Sequence, residues 1–256
     1  MNKYLISLIV CIFFVSSCAS VEVTTNNVEN EKESPFEIDE NQKFLDFLEA
    51  DWEKTLTNNP LFATYTGDKR FNDKINPNTI DQFEKDRLSD FESLEKLNSI
   101  DYDKLNPDNK LNYNLKKFDI ESDLNLSQFP IYYLRLNQRG GIQSFYETGN
   151  RLVYQSKKDY YDSLNRLNQF SENILNFLEI NKQGLQNGYT QPKLVTQGVI
   201  SQIDAIINSD INSNPYLKVF IDADETLLSQ NEKLELINDA KELIINKINP
   251  AYIKLN

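Results

Sequence analysis

Ser156-Lys157-Lys158-Asp159-Tyr160-Tyr161-Asp162-Ser163-Leu164-Asn165-Arg166-Leu167-Asn168-Gln169-Phe170-Ser171-Glu172-Asn173-Ile174-Leu175-Asn176-Phe177-Leu178 is the stretch from which the fold class is read. Tyr160, Leu164, Leu167, Ile174, Phe177 and Leu178 recur at helical intervals, with polar side chains between them. That spacing gathers the apolar groups on one face of a helix of about 3.6 residues per turn. Ser156 suits the N-cap, and the helix is expected to end near Gly184 and Gly188.

Outward from this helix the same period continues. Towards the C-terminus, Pro192 opens a helix carrying Val195, Val199, Ile203 and Ile206. Asn214-Pro215 breaks the pattern, and a last helix carries Leu234, Ile237, Ala240, Ile244 and Ile248. Towards the N-terminus, Phe44, Phe47, Leu48, Trp52 and Leu56 share one face of a first helix, which Asn58-Asn59-Pro60 stops. Leu61 to Asn76, with Ala63-Thr64-Tyr65-Thr66-Gly67-Asp68 inside it, reads as an irregular connection. Asn76-Pro77 and Asn106-Pro107 each place an N-capping side chain before a proline, which a helix tolerates at its first position. The helices they open should bury Ile80, Phe83, Leu88, Phe91, Leu94 and Leu97, and then Leu111, Leu115 and Phe118. No alternating strand series and no internal repeat stands out. The expected class is all-α, a multi-helix array over residues 40–256.

Between about Leu126 and Gln155 the helical pattern lapses. Phe129-Pro130-Ile131-Tyr132-Tyr133-Leu134-Arg135-Leu136 leads into Asn137-Gln138-Arg139-Gly140-Gly141, and three of the seven glycines (Gly140, Gly141, Gly149) fall here. Such glycines suit positive φ or close approach. Asn137, Gln138, Arg139, Gly140 and Gly141 could cradle a carboxylate or phosphate through backbone N–H groups and Arg139, or form a structural turn. Tyr132, Tyr133, Tyr160 and Tyr161 could line a cleft, although core tyrosines are commoner. Val219-Phe220-Ile221-Asp222-Ala223-Asp224-Glu225-Thr226-Leu227 matches the nucleophile motif of haloacid-dehalogenase-type phosphatases. The α/β alternation that such a sheet needs is missing, so an acidic loop leading into the last helix is expected. Asp81, Glu84, Asp86, Glu232, Glu235 and Asp239 read as solvated faces.

Residues 1–17 have the order of a lipoprotein signal: Lys3, the apolar run Tyr4 to Val15, then Ser16-Ser17. Val15-Ser16-Ser17-Cys18-Ala19 resembles a lipobox, which makes Cys18 the expected lipidation site and the membrane the expected partner. Ala19 in place of aspartate favours the outer membrane, facing the periplasm. Residues 18–39 are polar and read as a flexible tether. The chain has no histidine and two cysteines, Cys11 and Cys18. Beyond Cys18, Cys–His and Ser–His nucleophile pairs and His- or Cys-based zinc sites are therefore excluded. A formal charge of −12 and a pI near 4.6 speak against nucleic-acid binding, which needs a basic face.

Several strings occur in a consistent order: Asn59-Pro60 with Ala63-Thr64 and Gly67-Asp68; Leu111-Asn112-Tyr113; Leu136-Asn137-Gln138-Arg139-Gly140-Gly141-Ile142; Gly184, Gly188 and Pro192; Asn249-Pro250-Ala251-Tyr252. Together they resemble the N-terminal half of the bacterial domain-of-unknown-function family 885, from about Phe44 onward. The resemblance implies an exported helical lipoprotein similar to zinc-dependent carboxypeptidases and oligopeptidases. Family members carry a His-Glu-x-x-x-Gly-His-His type segment in a later half, and nothing here matches it. No catalytic or metal-binding residue carries over; zinc is expected only in a C-terminal half beyond this chain. The loop at 137–141 carries over as a wall of the family's cleft. Helical periodicity runs to the last residue, so the expectation is a C-terminally truncated chain, inactive alone, whose partners are the missing half and a peptide ligand. The alternative is a complete, non-enzymatic helical lipoprotein that binds a peptide or protein partner.

Overall fold

The computed structural model describes residues 39–256. The expected signal (1–17), Cys18 and all but the last residue of the expected tether lie outside the described residues. Every regular element among the described residues is helical, as the apolar period demands.

Helix α1 (Glu40–Asn58) starts at Asp39, whose Oδ1 accepts the N–H of Asn41 at 3.1 Å. Phe44 and Leu56 are buried, whereas Trp52 stays half-exposed, edge-on to Phe62 at 5.7 Å. The first helix stops at Asn58, as expected, and Pro60 opens another. It takes the first position of a new short helix, α2 (Pro60–Tyr65), and a 3-10 turn follows at Lys69–Phe71. The expected irregular connection is thus mostly helical, because proline needs no N–H partner at a helix start.

Helix α3 (Ile80–Asn98) is capped by Thr79, whose Oγ1 accepts the N–H of Gln82 at 3.1 Å, and not by Asn76. Asn76 is used elsewhere: its Oδ1 accepts from Leu61 N and its Nδ2 donates to Asn59 Oδ1. Long-range partners have outcompeted the local cap. Helix α4 (Pro107–Ser127) begins as expected, with Asn106 Oδ1 accepting the N–H of Asn109 at 2.8 Å. Its inward face differs from the expected one. Tyr113, Ile120 and Leu124 are buried, whereas Leu111, Leu115 and Phe118 are 55–69% exposed. Leu88 and Phe91 of α3 are exposed as well. Phe44, Leu97, Ile100, Leu105, Tyr113, Ile120 and Leu124 form one core, shared by α1, α3 and α4.

The lapse in periodicity contains 3-10 turns at Ile131–Leu134 and Ile142–Ser144, then short helix α5 (Tyr146–Arg151). Helix α6 (Lys157–Gln186) is the opening stretch of the sequence realised, and Phe170 joins its buried face. It ends at Gln186, between Gly184 and Gly188 as expected, and a Cβ on Gly184 would sit 3.0 Å from Tyr133 Cβ. Positive φ occurs at Gly67 and Gly188 rather than at Gly140, Gly141 or Gly149. Helix α7 (Lys193–Ile207) buries Val199, Ile203 and Ile206. Helix α8 (Lys218–Ile221) and α9 (Gln230–Leu243) follow, the latter capped by Ser229 with Glu232. In α9 it is Leu236, not Leu234, that is buried.

A π turn, Ile244–Ile248, joins α9 to α10 (Asn249–Leu255) without a break. Pro250 supplies the reason, since it lacks the N–H for an ordinary helical bond and its ring crowds the preceding turn. The second core gathers α6 to α10 around Phe170, Ile174, Ile203, Leu217, Ile244 and Tyr252. Three side chains of α6 grip the segment between α2 and α3. Arg166 Nε donates to Lys74 O at 2.8 Å, Gln169 Nε2 to Asp73 O at 2.6 Å, and Asn173 Nδ2 to Asn76 O at 2.9 Å.

Candidate functional site

The 137–141 loop is built by its own side chains first. Asn137 Oδ1 accepts the N–H of Arg139 at 2.9 Å, a turn that asparagine favours. Ser144 Oγ accepts the N–H of Gly141 at 3.0 Å. Gln143 then fastens the loop to α7: its Nε2 donates to Asn137 O and to Gln202 Oε1, both at 2.8 Å. Gln202 returns the bond, with Nε2 to Gln138 O at 2.9 Å. A Cβ on Gly141 would lie 2.8 Å from Gln143 Oε1 and 3.0 Å from Asn137 O, so the tight approach requires glycine there. Gly198 of α7 meets the Gln138 side chain in the same way.

Beneath the loop, Tyr252 OH donates to Ile142 O at 2.8 Å and lies 2.6 Å from Tyr216 OH. Burial pushes both phenols well above their ordinary range, which keeps them protonated and able to donate. Gln143 is 3% exposed, and its Oε1 has no hydrogen-bond partner.

The loop turns Arg139 and Gly140 outward, both exposed. Among the described arginines, Arg70, Arg87 and Arg151 pair with carboxylates. Arg135 bonds Asn78 Oδ1 and lies over Phe83, and Arg166 is buried on backbone carbonyls. Only the Arg139 guanidinium makes no hydrogen bond or ion pair within the described chain. Residues 137–140 are all exposed, but Asn137, Gln138 and Gly141 also shape the loop through its own bonds, whereas Arg139 presents a guanidinium with no bond of its own.

The other sequence candidates have local work. Tyr132 stacks on Phe83 at 4.9 Å, with Tyr133 edge-on to it at 4.6 Å. Tyr160 is buried and accepts the N–H of Asp224, and Tyr161 lies beneath Lys157; no ring contact joins the two pairs. Val219-Phe220-Ile221 is helical, not a strand. Asp222 pairs with Lys218, and Asp224 Oδ1 accepts the N–H of Thr226 at 2.8 Å. Asp222 and Asp224 are thus turn and helix-end residues. Sequence reasoning missed Gln143, Gln202 and Tyr216 as supports of the loop. Tyr252 lay in a quoted string, but nothing in its spacing pointed to Ile142, 110 residues earlier.

Among the described residues no group of three or more His, Cys, Asp or Glu is placed to hold a metal ion. No helix among them is long and apolar enough to cross a membrane.

No curated protein sequence matches the chain. A crystal structure of "the putative lipoprotein from Colwellia psychrerythraea" shares the fold, with a TM-score of 0.70 at 16% identity. The alignment covers 84% of this chain but 40% of the Colwellia chain, so this chain spans about two fifths of that protein's length. A family model described as bacterial protein of unknown function (DUF885) matches residues 60–256, and the chain belongs to that family.

Proposed function

We propose that this chain is the N-terminal helical part of an exported, lipid-anchored protein resembling zinc-dependent peptidases. In this reading loop 137–141 is one wall of a peptide-binding cleft, and the zinc site lies on residues that this chain does not contain. The observation that carries it is the match of nearly the whole described fold to 40% of a longer chain. The loop adds support: Gln143 and Gln202 bond its carbonyls and Tyr252 bonds Ile142 O beside it, yet Arg139 offers an unpaired guanidinium to solvent. Such a group suits a carboxylate of a peptide. Attachment through lipid on Cys18 and an outer-membrane, periplasm-facing address complete the proposal.

The exposed row Leu111, Leu115 and Phe118 is apolar surface of the kind that further protein covers. The competing reading, a self-sufficient lipoprotein that binds a peptide or partner without chemistry, predicts a monomer that melts cooperatively and binds no hydrophobic dye. Dye binding by the purified chain favours the first.

The decisive experiment starts from the DNA that follows the codon for Asn256. It should encode, in frame or shifted, a segment of the His-Glu-x-x-x-Gly-His-His type, and co-expression of that product should yield a complex that hydrolyses peptides with zinc. The chain alone should hydrolyse none. Peptide hydrolysis by the chain alone, or a downstream sequence without the segment, would overturn the proposal.

A further inference from the structure

Arg166 poses an electrostatic problem that the loop site does not touch. It is 4% exposed, and burying a guanidinium costs several kcal/mol unless a counter-charge or a full set of acceptors compensates. Its acceptors are neutral: Lys74 O at 2.8 Å from Nε, with Thr64 Oγ1 at 2.5 Å, Phe71 O at 3.2 Å and Pro60 O at 3.4 Å from Nη2. No carboxylate forms an ion pair with it: Asp162 pairs with Lys158 at 2.6 Å and, like Asp73, acts on Arg166 only at longer range. The third nitrogen, Nη1, has no acceptor in the described chain.

This side chain lines a cavity of about 360 Å³ between the α2 region and the segment leading into α6. Asn72 lines it as well. Asn72 is 7% exposed; its Oδ1 accepts from Thr64 Oγ1 at 2.8 Å, while its Nδ2 has no partner. Thr64 Oγ1 accepts from Arg166 Nη2 and donates to Asn72 Oδ1, so it links the two side chains in the cavity wall. The one carboxylate in the wall, Asp159, is already committed to Lys69 at 3.2 Å and to the N–H groups of Gln155 and Ser156. Arg151, also in the wall, pairs with Glu147. Arg166 therefore has no ion-pair partner in the cavity, and Asp162 and Asp73 offset its charge only from a distance. Leu152, Val153 and the Tyr154 ring make up an apolar side of it.

We propose that this cavity binds a carboxylate, with Arg166 as its counter-charge, Asn72 as a second donor and an apolar tail against Leu152 and Tyr154. A single positive charge with one free guanidinium nitrogen suits a monoanion. A phosphate group, with about two negative charges and three strong acceptor oxygens, would need more donors than are free. The carboxylate could belong to a small free acid or to the C-terminus of a peptide, and the ligands tested separate the two.

The test is calorimetric titration and thermal melting of the full chain in detergent, with benzoate against benzamide and acetyl-dialanine against its C-terminal amide. At least one acid should bind in the millimolar range or tighter and raise Tm, while the neutral amides do neither. Binding of benzoate alone assigns a small acid; binding of the peptide acid assigns a chain end as well. Arg166→Gln also strips the bonds that hold residues 60–74, so the deciding variants are at Val153, on the rim and 76% exposed. Val153→Glu should weaken acid binding by about tenfold or more through charge repulsion, and Val153→Gln should leave it within about twofold. Equal binding of acid and amide, binding by neither acid up to about 10 mM, or indifference to Val153→Glu would overturn the proposal.

Discussion

Tyr252 works through one hydroxyl: it donates to Ile142 O and lies against Tyr216 OH inside the core. Tyr252→Phe keeps the ring and leaves a buried carbonyl short of a donor, so it should cost about 1–3 kcal/mol. Tyr216→Phe should cost less, and the double variant should cost less than the sum, because the two hydroxyls share one network. Urea denaturation of the single and double variants checks this; strict additivity would mean that no such network exists. Tyr154 gives a pH prediction. Burial pushes its phenol from 10.0 up to about 12, so the fold favours the protonated form. Its contribution is complete below pH 10.0 and is lost as pH rises towards about 12. Unfolding free energy should fall over that interval, and less steeply in Tyr154→Phe; equal slopes in the two proteins would refute the assignment. At this scale the sequence announced very little. By spacing Arg166 is only one of the polar residues between the apolar positions of its helix, and the chain brought against it from residues 60–74 buries it.

Elements were more legible than residues, because caps and periods are local. Asn106-Pro107 starts α4 as expected, yet the same pair of residues at 76–77 starts nothing. The Asn76 side chain has Asn59 and Leu61 within reach, and Thr79 is close enough behind to take over the cap. The apolar pattern of the last helix ran through Pro250 without interruption, and the structure accommodates it with a π turn instead of a break. The polar row of α6 makes a testable claim about the connection it holds. Gln169→Ala and Asn173→Ala each remove a bond to a carbonyl of residues 73–76, so each should cost about 1 kcal/mol. The double variant should speed backbone hydrogen exchange around residues 66–79, with α6 itself unchanged. Unaltered exchange in that segment would show that packing alone retains it.

For the molecule as a whole, the instructive element is α4. Two apolar rows compete for the core on this helix, and the sequence offers no way to rank them. Leu111, Leu115 and Phe118 form the more conspicuous row, but Tyr113, Ile120 and Leu124 meet Phe44 and Leu97. Replacing Leu111, Leu115 and Phe118 one at a time by Ser should change stability by about 0.5 kcal/mol or less. Ile120→Ala should cost about 2–5 kcal/mol. If the two sets cost the same in chemical denaturation, the orientation of α4 is wrong. Removing all three exposed groups together should also reduce binding of hydrophobic dye or of a covering partner. The sequence alone determined the all-helical class, the extents of α1, α4 and α6 to within a few residues, and the prominence of the 137–141 loop, because period, capping and glycine content act over one or two turns. It also excluded histidine chemistry from this chain, since that is a matter of composition. Only the tertiary structure decided which row of α4 is buried, that Gln143 and Gln202 lock the loop to α7, and that Arg166 is buried without an ion pair. Each of these depends on contact between segments far apart along the chain, and a local pattern carries no information about which distant surface it will meet.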